Sequence, residues 1–190
     1  FSSVPIEIAV QRLIAPTQSP SLLAIPFFIL LGTLMSYTGI AERILHIANV
    51  LVGKMRGGLG VANILVSTMM GGVSASNLAD AAMLSRMMVP EMERKGYNRA
   101  FAAAITAGGS LVTPIIPPGI ALIIYGLVAD VSIGKMFIAG LVPGLLCAVV
   151  LMFTVYLVAR KTNANPSRER WPTGKEVVLS LGQAWPALFL

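Results

Sequence analysis

The sequence predicts an all-α integral membrane protein in which transmembrane helices are combined with a re-entrant helical hairpin and a broken transmembrane helix. Three observations predict it. The 190-residue chain is 56% apolar and 12% charged, with a mean hydropathy of +0.81. A soluble domain is roughly a quarter charged, so the long uncharged runs of this chain belong in a bilayer. Two apolar stretches of about 15 residues, roughly 22 Å of helix each, meet at the Gly- and hydroxyl-rich stretch Gly71–Asn77 and carry basic residues at both outer ends. A segment that starts basic, breaks and ends basic has entered the membrane and come back. Finally, the apolar run Asn98–Ala129 is interrupted by Gly108-Gly109-Ser110 and by Pro114, Pro117, Pro118 and Gly119.

Residues 1–20 read as periplasmic loop with an interfacial helix, because Pro5, Pro16 and Pro20 flank an amphipathic piece, Ile6–Ile14. Residues 21–41 are the first transmembrane helix: Leu22–Ala41 is an uncharged run of about 20 residues, enough to cross roughly 30 Å of hydrocarbon. Pro26 falls in its first turns, where a missing N–H costs little, and Gly39 marks its end. Residues 42–57 form an interfacial arm helix. Over Glu42–Met55, Ile44, Leu45, Ala48, Leu51 and Val52 share one face, with Glu42, Arg43, His46 and Asn49 largely elsewhere.

Residues 58–97 are the re-entrant hairpin. Its arms are Leu59–Val73 and Leu78–Met92, the second ended by Pro90 and the charges Glu91, Glu93, Arg94 and Lys95. Residues 98–129 are the broken helix: the Pro and Gly of Gly108–Gly119 cannot stay helical, which leaves half-helices Arg99–Ala107 and Ile120–Ala129. Residues 133–160 make a full crossing, Ile133–Val158, bent near Pro143-Gly144. Residues 161–190 contain a basic cytoplasmic connector, an interfacial helix Glu176–Ala184 and the start of a new apolar run, Trp185–Leu190. With Phe1 at the other end, the chain is expected to be an interior piece of a longer protein.

Charge sets the topology. With the turn before the hairpin inside, the hairpin returning to the inside near Arg94, the broken helix leaving at Asp130 and the last helix returning at Arg160, all of the 14 Lys and Arg but Arg12 and Lys135 lie inside or on the inner arm. That is a strong positive-inside bias. Treating Leu59–Met92 as one kinked crossing weakens it.

The two breaks carry the chemistry. Irregular backbone at membrane depth is tolerated only where it is buried in protein or lines a cavity, and broken helices of this kind form the substrate and ion sites of secondary transporters. Unwound carbonyls and Ser, Thr and Asn oxygens suit a hard, weakly hydrated cation such as Na⁺. Half-helix N-termini present free N–H groups and positive dipole ends to an anion. One such N-terminus follows Ser76-Asn77 and the other follows Pro117-Pro118-Gly119; facing one cavity, they fit a carboxylate substrate coupled to Na⁺. Asp80, one turn into the second arm, either braces the hairpin by a hydrogen bond or handles the ion. Arg86, on the same arm, snorkels inward or pairs with a neighbouring segment.

Other classes fit less well. The net charge of +6 sits in short loops between apolar runs and forms no stripe for nucleic acid. Cys147 reads as a small buried apolar residue, His46 as an interfacial polar residue, and the methionines Met69, Met70, Met83, Met87 and Met88 as adaptable packing. An intramembrane enzyme lacks a His/Asp, Ser/Lys or metal-ligand cluster at membrane depth. A purely structural scaffold gives no reason for two polar breaks.

Several of these residues also carry a family resemblance. Gly71–Asn77 running into Leu78-Ala79-Asp80-Ala81-Ala82, then Pro90-Glu91-Met92, Gly96-Tyr97, Pro114-Ile115-Ile116-Pro117-Pro118-Gly119 and Tyr125-Gly126, resembles the large membrane subunit of tripartite ATP-independent periplasmic (TRAP) transporters. Ala24–Leu30 and Gly57-Gly58-Leu59 resemble it too, so the likeness covers nearly the whole chain. It implies the first of two inverted repeats of the ion-transporter superfamily fold, in a multi-pass protein of the bacterial inner membrane. It implies Na⁺-driven uptake of small organic acids handed over by a periplasmic binding protein, with a small membrane subunit as partner and an elevator-like motion. The alternative is a single-component sodium-coupled carboxylate symporter of the same superfamily. By analogy with those symporters, Gly72, Ser76, Asn77 and Gly109 would cradle Na⁺. Ser74, Ser76, Asn77, Ser110, Thr113, Pro117 and Pro118 would line the substrate. Where the symporters carry hydroxyls this chain has Gly108-Gly109, so ligation there would be through carbonyls.

Overall fold

The structure, a computed structural model, describes residues 6–14, 39–52, 54–55, 57–71 and 76–161, with isolated helical positions at 26, 27, 29, 30, 33, 34, 180 and 182. Most of the expected first span, residues 72–75 and nearly all of 162–190 lie outside the described residues. The described part is helical, without a strand: α1 (Ile6–Ile14), α2 (Ile40–Val52), α3 (Gly58–Met70), α4 (Asn77–Arg94), α5 (Arg99–Ser110), α6 (Ile120–Val128) and α7 (Ile133–Lys161).

The centre of the fold is α3. Its sequence is apolar on every side, and nearly all of it is buried, including Leu59, Val61, Ala62, Ile64, Val66 and Met70, as expected of a helix surrounded by others. It packs against α2, α4, α5 and α7. The core joins Ile44 and Ala48 of α2, Leu84, Met88 and Met92 of α4, Ala102 and Ile105 of α5, and Val155 and Ala159 of α7. On α2 the buried face takes in Ile47 and Val50, while Leu51 is exposed. The packing face is therefore rotated from the one that apolar periodicity suggests, because α2 lies against α3.

Two contacts fix the course of α3 and α4. At one end the backbone N–H of Gly60 donates to the Tyr97 hydroxyl (3.3 Å), just beyond α4. At the other end Thr113 touches both Ser67 of α3 and Asp80 in the first turn of α4. The two helices thus run antiparallel as a hairpin. By contrast α3 and α5 run parallel: Asn63 meets Thr106, and further along both Ser67 meets Thr113. Gly57 makes the turn into α3 with φ +76°, a left-handed conformation that suits glycine, and Ala159 of α7 sits directly over it.

Three boundaries differ from the sequence expectation. The first arm ends at Met70, before Val73, where Gly71 turns its N–H to Thr68 (3.3 Å) and tightens the last turn. The second arm runs through Pro90 to Arg94. A proline inside a helix costs about 3 kcal/mol, but Met88, Val89 and Met92 are buried on either side of it and hold the helix together. The first half of the broken segment continues through Gly108 and Gly109 to Ser110. Each glycine costs about 1 kcal/mol in a helix, and at Gly109 the close approach of α3 offsets it. The second half begins at Ile120, behind Gly119.

Among the described residues one helix, α7, is long and apolar enough to cross a membrane by length and composition. Its small residues Gly140, Gly144, Ala148 and Ala159 are buried, while Ile138, Val142, Leu146 and Phe153 are exposed. Small residues facing protein and large ones facing outward is the packing pattern of membrane helices. The helix continues through Pro143.

Candidate functional site

The site is built where helix ends on either side of the two breaks come together. α3 stops at Gly71. α4 begins at Asn77, capped by Ser76, whose hydroxyl accepts from the backbone N–H of Ala79 (3.3 Å). This is ordinary N-cap chemistry, and the backbone N–H of Asp80 closes the first turn on the Ser76 carbonyl (3.0 Å). α5 stops at Ser110, and the chain then winds through successive turns, Val112 N–H to Gly109 (3.0 Å) and Ile115 N–H to Val112 (3.0 Å). The Pro117–Pro118 peptide is cis, and Gly119 opens α6 with no side-chain cap.

Packing holds these breaks against one another. A Cβ on Gly71 would stand 2.7 Å from the Ile116 Cβ and 3.1 Å from the Thr113 carbonyl. A Cβ on Gly109 would stand 3.2 Å from the Ser67 hydroxyl and 3.5 Å from the Ile64 Cα. A side chain at Gly71 would force Ile116 to shift, and one at Gly109 would press on Ser67. On the other side, Ile115 and Ile116 of the break rest on Gly140 and Gly144 of α7.

Inside this packing lies a polar seam. The Asn63 amide donates to the Thr106 hydroxyl (2.7 Å), which itself donates to the Ala102 carbonyl (3.0 Å). The Thr113 hydroxyl lies 3.0 Å from Asp80 Oδ2 and 3.3 Å from the Ser67 carbonyl. It has one proton to give, and the shorter contact, to a carboxylate, is the stronger of the two. Asn63, Ser67, Asp80, Thr106 and Thr113 are each at most 1% exposed. Buried polar atoms are normally hydrogen-bonded; the Ser67 hydroxyl faces the Asp80 carboxyl as a donor, while Asn63 Oδ1 has no partner. The ion pairs among the described residues, Arg94 with Glu91 (3.3 Å) and Arg99 with Glu93 (3.9 Å), are solvent-facing at the far end of α4, so neither neutralises Asp80.

At that far end, burial pushes the Tyr97 phenol above its ordinary value. In the connector between α4 and α5 it stays protonated at neutral pH and accepts the Gly60 N–H.

The residues singled out in the sequence fall as follows. Gly72 and Ser74 lie outside the described residues. Ser76 is exposed and Asn77 half-buried at the start of α4. Gly109, Ser110 and Thr113 are buried at the end of α5 and just past it, where the Ser110 hydroxyl is committed to the Ala107 carbonyl (2.9 Å). Pro117 and Pro118 are half-buried in the break. Asp80 is buried and bonded to Thr113, Arg86 is exposed, and Cys147 is exposed on α7 instead of buried, because it lies on the outward face of that helix. An apolar pocket of about 390 Å³ beside the break, lined by Leu111, Ile115, Leu146 and Cys147 among others, offers nothing polar to a carboxylate. Sequence reasoning missed Asn63, Ser67 and Thr106. The available signal was the spacing of Asn63 and Ser67, four apart and thus on one face of an otherwise apolar helix.

Comparisons with known proteins agree with one another. The family model described as "Tripartite ATP-independent periplasmic transporter, DctM component" matches residues 1–190. The chain is 40% identical over 185 residues to the sialic acid TRAP transporter large permease protein SiaM of Vibrio cholerae, covering 95% of this chain and 43% of the relative. It is 38% identical over 185 residues to the 2,3-diketo-L-gulonate TRAP transporter large permease protein YiaN of Escherichia coli, covering 97% and 43%. It is 38% identical over 160 residues to the C4-dicarboxylate TRAP transporter large permease protein DctM of Pseudomonas aeruginosa, covering 84% and 38%. The chain spans less than half the length of each of these relatives.

Proposed function

Because the chain belongs to the DctM-component family of tripartite ATP-independent periplasmic transporters, we propose that it forms the first inverted repeat of a large permease subunit that imports small organic acids. It is a piece of a transporter and not of an enzyme. In this reading α3 and α4 form a re-entrant hairpin, α5 and α6 are the two halves of a broken transmembrane helix, and the protein is a multi-pass protein of the bacterial inner membrane. Substrate is handed over by a periplasmic binding protein, and a small membrane subunit completes the permease. Sialic acid, a C4-dicarboxylate and 2,3-diketo-L-gulonate are named for its relatives; a carboxylate is their shared chemistry.

The observation that carries the reading is the meeting of the inner ends of α3 and α4 with the helix break over a buried polar seam. Such a seam inside an apolar bundle costs stability and needs an occupant or a motion to explain it. The free N–H groups at the start of α4 and α6 suit an anionic substrate. Ser76, Asn77 and the carbonyls of Gly72 and Gly109 would hold the coupling Na⁺, which when bound supplies positive charge next to the carboxylate. A test follows on the full-length protein: Asn77→Ala is expected to insert and fold yet lose Na⁺-driven uptake in proteoliposomes. Uptake at the wild-type rate would overturn the assignment.

A further inference from the structure

We propose that Arg86 is a second carboxylate contact, set on the route by which the imported acid leaves the inner end of α4 for the cytoplasm, and that the exposed face of α4 lines this route. The inference rests on the organic-acid import reading above and adds to it a cation that lies outside both breaks.

Position is the first argument. About two turns of α4 separate Arg86 from Arg94, so Arg86 lies inside the arm, well short of its charged end. It is exposed, and among the described residues no carboxylate pairs with it. Glu91 is held by Arg94 (3.3 Å) and Glu93 by Arg99 (3.9 Å). Asp80 is buried against Thr113. A guanidinium turned to hydrocarbon at membrane depth is costly. Ionisable side chains at such depth face a water-filled cavity or the protein interior, and they mark substrate and ion pathways.

The face that carries Arg86 is the second argument. Ala79, Ala82, Arg86, Pro90 and Glu93 are all exposed. They recur every three or four residues and so form one stripe along the helix. On α7 the exposed positions hold Ile138, Val142, Leu146 and Phe153, a surface made for lipid. The stripe on α4 holds no large apolar side chain, which suits water and a polar solute. It starts beside Ser76 and Asn77, where the free N–H groups of α4 favour an anion, and runs to the charged end of the arm. An acid leaving along it gives up the dipole of α4 and needs a new positive partner. Anion pathways supply one by placing Arg or Lys along the passage, and a guanidinium holds a carboxylate through two parallel N–H bonds. An exposed pairing of this kind is weak, so the acid is held in passing and then let go.

The test is Na⁺-driven uptake by the full-length permease with its partner proteins in proteoliposomes. The probes are sialic acid, a C4-dicarboxylate and 2,3-diketo-L-gulonate. For the acid that wild type transports, Arg86→Gln is expected to lower the rate at saturation about tenfold, the effect of one lost charge-assisted contact. Arg86→Lys, which keeps the charge, is expected to recover most of that rate. Ala82→Cys lies one turn further in on the same face and leaves Arg86 intact. In a background without other cysteines, its thiol is expected to react with an impermeant reagent from the cytoplasmic side, and more slowly when the acid is added there. An Arg86→Gln protein that inserts and transports at the wild-type rate overturns the contact and leaves the import reading standing. So does an Ala82→Cys thiol that the acid leaves unprotected, or one closed to the cytoplasm because Arg86 pairs with an acidic residue elsewhere in the permease. Wild-type protein that transports no organic acid overturns the import reading and this contact with it. Should Arg86→Gln fail to insert, the labelling of Ala82→Cys decides.

Discussion

Thr113 is the residue on which the breaks meet. It belongs to the unwound stretch after α5, donates to Asp80 of α4 (3.0 Å) and sits over the carbonyl of Ser67 on α3. Thr113→Val keeps its shape and removes the donor to Asp80 Oδ2. A hydrogen bond to a charged group is worth about 1.5–3 kcal/mol, so the full-length variant is expected to unfold at a lower temperature in detergent by an amount of that order, and an unchanged midpoint would show that Asp80 is held by other means. Packing gives a second prediction. Gly71→Val drives a side chain into Ile116, and overpacking costs about 1–3 kcal/mol; thermal unfolding is again the measurement, and Gly39→Ala, with open space around it but φ +69°, should cost only its backbone strain. At this scale the sequence named one half of each contact. Asp80 stood out because an acid in an apolar arm is expensive. Thr113 was named only by analogy with the sodium-coupled symporters. That they touch depends on how α4 packs on α5, which no local pattern states. Ser67 and Asn63 drew no notice because a single small polar residue in a helix is unremarkable until its neighbours are known.

Among the elements, helix type and order were legible because the apolar runs are long and their interruptions are made of Gly and Pro. The ends were not. A proline reads as a stop, but α4 passes Pro90 because buried Met88 and Met92 bind the next turn to the core. A Gly-Gly pair reads as a break, but α5 carries Gly108 and Gly109 to Ser110 because Gly109 lets α3 approach. Propensity is a local preference, and tertiary packing overrides it. The base of the hairpin gives a prediction at this level. Tyr97→Phe removes the acceptor for the Gly60 N–H and is expected to cost about 1 kcal/mol, measured by thermal unfolding, while the stacking of the ring on Phe101 at 6.4 Å is kept. The re-entrant course is tested with single cysteines introduced at Lys54 and Lys95 in a Cys147→Ala background: both are expected to react with an impermeant reagent from the cytoplasmic side alone. Labelling from opposite sides would make the hairpin a crossing.

For the whole molecule, α7 shows how the described part would sit among its surroundings. Its small residues face the break and α3 and its large ones face away, so one side belongs to protein and the other to lipid or to parts of the protein not in this chain. The relatives are more than twice as long as the matched stretch, and transport is a property of the complete assembly. The most direct test is therefore uptake of candidate organic acids by the full-length permease in proteoliposomes, under an imposed Na⁺ gradient, with and without its small subunit and periplasmic binding protein. The account predicts uptake only when the gradient and both partners are present. Uptake driven by sodium with no binding protein would contradict it and identify a single-component symporter instead.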